Sequence, residues 1–473
     1  MRNHSLIINN VIDQIHDSKR KRIEWSLVIL SGVLLGIWAI KDTIALRNIL
    51  LVCGALLSSF YIFQELKYGH LKEQCTTWKV MPIIMLGLIF IWIVSHYLFF
   101  SVNPVKQLEE LKSTWFRAFL ASIIGLGTGL AIRSYPRRLN LLWLGIFVVF
   151  LILVYQYIPQ ALSQKKILIP SYGLFNLKFN GVLMGTLMLA GINGATIDYV
   201  RVSYAQSSKL QYWYALYWLL GTIITVWAFV YIFDTRNGVG LSVLLIGFLF
   251  ICILFFIKSV KLRGLRVKAW IAPLFFSFVL LFFLYFTFLQ TTVNRGWDNF
   301  IEDVQIAIQI DRHPHWQNVS QFGYPVRDDG LVVSANTYER FAWAAAGLRA
   351  ISSYPQGVGV LDRPFEINPN SMPLMPDDSY YVPQIVTHSG WVEIGLAFGI
   401  PILSLIFISL CATFIEAIRN THLAKMTVLA LIFTISSLYL VGEVAIQHGI
   451  EILIFLMALL PALLLKKQCQ KHK

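Results

Sequence analysis

Charge is what this chain lacks most. Charged side chains make up 14% of its 473 residues, against about 25% in an ordinary soluble domain. Acidic residues are the scarcer kind, 25 Asp and Glu against 39 Lys and Arg. The five cysteines (Cys53, Cys75, Cys252, Cys411, Cys469) show no metal-ligand spacing, and none falls in the one long polar stretch. A zinc site and a disulfide-stapled domain are therefore not expected. No low-complexity segment and no internal repeat is present, which argues against a solenoid and against a transporter built from repeated halves. The net charge of +14 does not point to nucleic acid. The basic residues cluster in short connections between apolar runs, the pattern that orients membrane helices.

What the chain has is apolar length: 57% of its residues are hydrophobic and its mean hydropathy is +0.64. Apolar runs lie near 24–40, 46–65, 80–100, 115–133, 139–158, 180–199, 212–233, 238–257, 269–290, 391–415, 426–444 and 449–465. At ~20 residues per crossing, they predict an all-α polytopic integral membrane protein with about 12 transmembrane helices. The sixth run carries Asn193 and several glycines, so a short or broken span is expected there. The organisation reads as a cytoplasmic segment (1–22), nine spans (23–290), one large loop (291–388), three spans (389–465) and a basic tail (466–473). The N-terminus is polar before its first apolar run, so that span is expected to be retained. The balance of Lys and Arg on alternate sides places both termini in the cytoplasm and the large loop outside.

Two helices are expected in that loop. Over 297–310, Phe300 or Ile301, Val304 and Ile308 recur at helical spacing. From Asn336, with Glu339 three residues on as in a capping box, Phe341, Ala345 and Leu348 line one face until Pro355 ends the helix. Between them Asp311 to Gly330 is turn-rich. Residues 361–386, rich in proline, read as an irregular docking segment or lid.

Several residues in or beside the loop carry chemistry. Arg236 sits in the short turn Asp234-Thr235-Arg236-Asn237-Gly238 between two apolar runs. Snorkelling is the common use of such an arginine; the alternative is an anion clamp, because a guanidinium fork matches phosphate oxygens at any working pH. Arg340 falls in the first turn of the expected helix, where it pairs with Glu339 or Asp328, or joins the free N–H groups there in holding a pyrophosphate. His388 stands at a membrane boundary, either as an interfacial side chain or as a general base near neutral pH. Glu393 lies inside an apolar stretch, where an ionisable group is expensive. Arg295-Gly296-Trp297 has the make-up of an interfacial anchor. His313 and His315 flank Pro314 with no third ligand at a usual spacing. Glu443, His448 and Glu451 bracket the last outer turn, facing a cavity or capping it.

Together these residues resemble the O-antigen ligase and polymerase superfamily of bacterial envelopes. The resemblance rests on Thr235-Arg236-Asn237-Gly238, on Arg340 with Trp343 and then Pro355-Gln356-Gly357-Val358-Gly359, and on His388-Ser389 followed by Gly399. It is confined at residue level to about 236–241 and 336–401. Ile402 departs from the small or polar residue that usually follows that last glycine. The layout is most similar to the lipopolysaccharide ligase branch. The resemblance implies a GT-C-like, metal-independent inverting glycosyltransferase of the bacterial inner membrane with no cofactor. It implies an undecaprenyl-pyrophosphate-linked glycan donor and a lipid A–core acceptor, or a lipid-linked or protein acceptor in the polymerase and protein O-oligosaccharyltransferase branches. Arg236 and Arg340 would hold the pyrophosphate and His388 would be the base. Trp343, Ser389, Glu393 and Arg295 complete the expected substrate-binding set. A flippase without covalent chemistry is the reading from another class.

Overall fold

The structure, a computed structural model, describes residues 2–68, 78–133, 135, 137–166, 173–175, 177–203, 208–257, 299–367, 386–419, 424–442 and 448–465. The ninth apolar run, Arg295, Trp297, Glu443 and most of the proline-rich segment lie outside them. Among the described residues the regular structure is helical and there is no strand, only two isolated bridges. Each expected span other than the ninth overlaps a helix. Among the described residues six helices are long and apolar enough to cross a membrane: Ile44–Lys67, Trp78–Phe99, Pro104–Ile132, Leu144–Gln164, Lys178–Tyr199 and Gly390–Arg419. Four shorter apolar helices accompany them: Leu216–Ile232, Arg236–Cys252, Lys425–Val441 and Gly449–Leu464.

The sixth run is neither short nor broken. It forms one helix, Lys178–Ser203, and most of its apolar window is buried inside the protein. Its low hydropathy follows from that position. Gly181, Gly185 and Gly191 take the rings of Phe233, Phe229 and Trp143 so closely that any Cβ would collide with them. Small residues are what tight helix packing selects, while lipid contact selects bulk. The break expected there occurs instead in Gly390–Arg419, at Gly399 (φ 74°, ψ −170°) two residues before Pro401.

Several charges buried in the bundle are paired. At one end, Arg133 binds Glu65 (2.5 Å) and Arg138 binds Glu24 (2.6 Å), with the Tyr61 hydroxyl donating to Glu24 (3.0 Å). Both arginines are buried. At the other end, Glu451 is fully buried and accepts from Arg117 Nε (2.5 Å) and Trp38 Nε1 (2.8 Å). Arg47 there donates to His448 Nε2 (3.0 Å) and to the Trp38 carbonyl (2.9 Å). His448 and Glu451 therefore lock four helix ends together rather than cap a turn.

The polar segment after Asn299 forms a small domain with its own core of Ala307, Ile310, Trp316, Val333, Tyr338, Ala342, Trp343, Ala346 and Ala350. The expected stripes are not the buried ones. Ile301 and Ile308 are exposed, whereas Asp303 is buried, accepting from Arg327 Nη1 (3.2 Å) and the Ser334 amide (3.0 Å). In the helix Ala335–Ser353, Phe341 and Leu348 are exposed, and Tyr338, Ala342, Ala346 and Ala350 face inward. No capping box forms: the N-cap is Ser334, and Glu339 accepts from the Tyr324 hydroxyl (2.6 Å).

Two outcomes follow from this packing. Glu451→Ala leaves Arg117 unpaired at a buried carboxylate site, which costs about 3–5 kcal/mol; a thermal midpoint equal to that of the parent in detergent would contradict it. The Asp329 carboxyl lies below the usual carboxylate range because Arg327 and the Leu331 amide donate to it. A depressed carboxylate stabilises above its unfolded value of about 3.9 and loses that contribution as pH falls through its folded value. Amide protection factors in 326–332, taken relative to intrinsic exchange at each pH, are therefore expected to fall on acidification below about pH 4, and Asp329→Asn to flatten that dependence.

Candidate functional site

The site begins with a backbone repair. An α-helix carries N–H of one residue to the carbonyl four back. At the Gly399 break Ile400 N turns away, and Pro401 has no N–H to give. The carbonyls of Leu396 and Ala397 would be orphaned, at a cost of several kcal/mol each in hydrocarbon. They are filled by Val358 N (2.9 Å) and Gly359 N (2.6 Å), while Ile400 N donates to the Pro355 carbonyl (2.8 Å). Trp92 Nε1 fills the Phe398 carbonyl (2.9 Å). The Pro-x-Gly-x-Gly sequence is thus the missing piece of the broken helix. Gly357 (φ 80°) and Gly399 (φ 74°) both need the left-handed region. A Cβ on Gly357 would stand 2.5 Å from Gly399 N, and one on Gly399 2.0 Å from the Pro355 carbonyl oxygen. The loop is pinned from the far side by His96 Nε2, which donates to the Gly357 carbonyl (3.0 Å), and by Glu110, which accepts from the Leu361 and Asp362 amides (both 2.8 Å).

This repair fixes the helix Ala335–Ser353 against the head of Gly390–Arg419, and with it two expected site residues. His388 stacks on Trp343, ring centroids 5.4 Å apart and 24° from parallel. The Trp343 indole is held in turn by donation to the Trp316 carbonyl (3.1 Å). His388 has φ 55°, a left-handed backbone that costs a residue with a Cβ about 1–2 kcal/mol. The segment around it holds that conformation: Glu393 is fully buried and accepts from Thr387 N (3.2 Å), and the Ser389 carbonyl accepts from Thr387 Oγ1 (3.2 Å) and Glu393 N (3.0 Å). Glu393 and Ser389 are therefore positioned to shape the histidine segment. Both are buried.

Arg340 lies in the second turn of its helix, which starts at Ala335. It is half-buried. Its distance from the helix start removes it from the first-turn N–H groups, two of which, Thr337 N and Tyr338 N, already donate to the Ser334 carbonyl. Arg236 is the first residue of Arg236–Ile257. Thr235 Oγ1 accepts from Gly238 N (3.3 Å), and Gly238 lies so close to Thr235 and the Phe229 ring that a Cβ would meet them at 2.7 and 2.9 Å. The turn thus caps itself and leaves the Arg236 side chain exposed, without a hydrogen bond or ion pair among the described residues.

Arg236 and Arg340, 104 positions apart in sequence, are both charged neighbours of a residue that sequence reasoning missed. Lys178 opens the helix Lys178–Ser203, and its ammonium donates to the Asp234 carbonyl. Its charged neighbours are the Asp234 carboxylate, Arg340 and Arg236. The positive ends of two helices therefore meet, each opened by a cation, with the Arg340 guanidinium beside them. A cation at a helix start is unfavourable by itself, and that mismatch is the signal the sequence offered at both positions. His313 and His315 have rings 6.2 Å apart, and among the described residues no group of three or more His, Cys, Asp or Glu side chains is arranged to hold a metal.

Compared with known protein families and with curated proteins, the chain matches none. Gly357→Ala is expected to open the repair without touching a charged group. Amide exchange at Val358, Gly359 and Ile400 should quicken at least tenfold, the factor that ~1.4 kcal/mol of lost protection corresponds to; unchanged protection would show that the loop is not needed to complete the helix.

Proposed function

We propose that the chain is an O-antigen ligase, an inverting glycosyltransferase of the bacterial plasma membrane. It moves a glycan from undecaprenyl pyrophosphate to lipid A–core on the outer face of the membrane. The reading takes the chain as a GT-C-like protein with about 12 spans of ~20 residues. The observation that carries it is that Lys178, bonded to the Asp234 carbonyl, has the Asp234 carboxylate, Arg340 and Arg236 as charged neighbours, while His388 stacks on Trp343, one helical turn along from Arg340. The motif set read from the sequence supports the same reading.

In this reaction an acceptor hydroxyl attacks the anomeric carbon as the bond from that carbon to the phosphate oxygen breaks. His388 takes the hydroxyl proton, and lipid pyrophosphate leaves with one more negative charge than it carried as a diester. Cations aimed at the leaving group stabilise charge that grows in the transition state, the most effective place to spend electrostatics. His388 needs a fixed ring to act as a base, and the parallel Trp343 face supplies one. Attack opposite the leaving group inverts the carbon. A lipid-linked acceptor in place of lipid A–core would make the enzyme a polymerase, and a Ser or Thr acceptor a protein O-oligosaccharyltransferase. The cluster serves all three.

Arg236→Ala, Arg340→Ala and His388→Ala are each expected to lower transfer about 100- to 1000-fold with the protein still in the membrane. The assay is glycan transfer to purified acceptor, read beside a lipopolysaccharide gel of a deletion strain carrying each variant. Near-parent transfer by His388→Ala would remove the base from the scheme. Core carrying a single repeat in the deletion strain would move the assignment to the polymerase.

A further inference from the structure

The two apolar stripes that periodicity marks in the polar domain both lie on its surface. Ile301 is 74% and Leu348 57% exposed, with Ile308 and Phe341 exposed beside them. The stripes belong together. Phe300 packs on Phe341 (ring centroids 5.8 Å), and Arg349 donates to both oxygens of Asp311 (2.6 Å each). The helices Phe300–Ile308 and Ala335–Ser353 therefore run side by side in the same direction. Ile301 and Ile308 are seven residues apart, as are Phe341 and Leu348, and about seven residues return a helix to the same face after two turns. The other sides of the two helices, with Ala307 on one and Ala342, Ala346 and Ala350 on the other, enter the domain core. The ridges thus form one apolar surface on the side away from that core. Such a surface marks an interaction site.

Its depth follows from the break at Gly399. Trp391 lies eight residues before the break and Phe407 eight residues after it, yet their ring centroids are 5.0 Å apart. In a straight helix residues that far apart in sequence are separated by ~24 Å along the axis. The head of the broken helix, 390–398, therefore folds back along the spanning part instead of rising away from it. The helix Ala335–Ser353 follows that head. A Cβ on Gly347 would stand 2.5 Å from Val392, one on Gly395 2.6 Å from Ile351, and one on Gly399 would strike the Pro355 carbonyl. Leu348 is thereby held near the depth of Ile400 and Phe407, which are exposed apolar positions of a helix long and apolar enough to cross a membrane. Just beyond, Val102 N donates to the Val358 carbonyl (3.3 Å), beside the exposed rings of Phe99 and Phe100.

The polar groups around Leu348 do not depend on water. Ser352 Oγ donates to the Leu348 carbonyl (3.0 Å) and Ser353 Oγ to the Arg349 carbonyl (3.1 Å), within their own helix. That is how a hydroxyl is satisfied in an apolar medium. The Arg349 charge is met by Asp311.

We infer that the ridges of Ile301 with Ile308 and of Phe341 with Leu348 dock on the lipid leaflet next to the site. The polar domain then lies in the head-group boundary with these side chains among the first acyl carbons, ~5–10 Å deep, as an interfacial helix does. The occupant is the bilayer because the face continues the apolar surface of the bundle at the depth of Ile400 and Phe407. The inference goes beyond the reaction proposed above and does not require it. Docking fixes the height of the Trp343–His388 stack above the acyl chains, since Trp343 rides on the same helix as Leu348.

The test uses the full chain in nanodiscs of phosphatidylcholine. A benzophenone-bearing phenylalanine, which captures a neighbouring C–H bond on irradiation, replaces Leu348, Ile301 or Ile400 one at a time. Intact mass and fragmentation then show what was captured and at which atoms. Capture of an acyl chain is expected at Leu348 and at Ile301, within about threefold of the yield at Ile400. Leu348→Glu places a charge among acyl carbons, so with the probe at Ile301 it should lower acyl capture at least fivefold. Leu348 is exposed, so that variant keeps the packing of the domain. Capture of a second copy, of the chain's own residues, or of the choline head group alone at both ridges overturns the inference. So does acyl capture at Ile301 that Leu348→Glu leaves unchanged. Absence of lipid at Ile400 as well would overturn it together with the membrane crossing of that helix.

Discussion

A membrane helix has no water to which it can give its backbone, and the break at Gly399 is where that constraint governs this protein. Three backbone hydrogen bonds from the Pro355–Gly359 loop complete the interrupted helix. They do so from a segment that belongs to the polar domain, so completing the helix and docking the domain are one event. Everything chemical on this side inherits its place from that repair. Trp343 lies on the helix that leads into the loop, and His388 on the segment that leads into the break. The left-handed backbone of His388 is tolerated because Glu393, inside the helix, reaches back to hold the Thr387 amide. A buried carboxylate and a strained histidine that look like separate oddities are two ends of one support.

The other half of the cluster is built by different means. Lys178 and Arg236 open two neighbouring helices and are joined by a bond from the lysine to the turn before the arginine. Here the organising cost is electrostatic. Elsewhere in the bundle several buried charges have an opposite partner, as in Arg133 with Glu65 or Arg117 with Glu451, while Glu110 and Glu393 are held by backbone amides. Arg236, in contrast, is exposed. Positive helix ends add to the same potential.

Much of this was readable in the chain and some was not. Apolar run length located the helices, because hydrocarbon thickness imposes it on each run separately. Thr235 and Gly238 announced their turn because capping and close approach are local needs. The Pro-x-Gly-x-Gly stretch was legible as a turn, but its purpose was not, since the carbonyls it satisfies are some 40 residues away in sequence. Lys178 was passed over because a lone lysine at the start of a weak run reads as a boundary charge until Asp234 is seen beside it. The stripe Ile301 to Ile308 misled for a related reason: periodicity reports that a face exists, and Asp303 on the other side had a buried arginine to meet. The weak sixth run misled in the opposite direction, its glycines marking the most enclosed of the six long apolar helices described.

Arg340 and Trp343 lie on the helix Ala335–Ser353 and His388 on the segment before Gly390–Arg419, while Lys178 and Arg236 open two other helices. The two groups therefore belong to separate elements. The hydrogen bonds that complete the broken helix hold the first group in place, and the bond from Lys178 to the Asp234 carbonyl holds the second. A substitution that loosens Gly357 or Gly399 therefore disturbs one group and leaves the other as built.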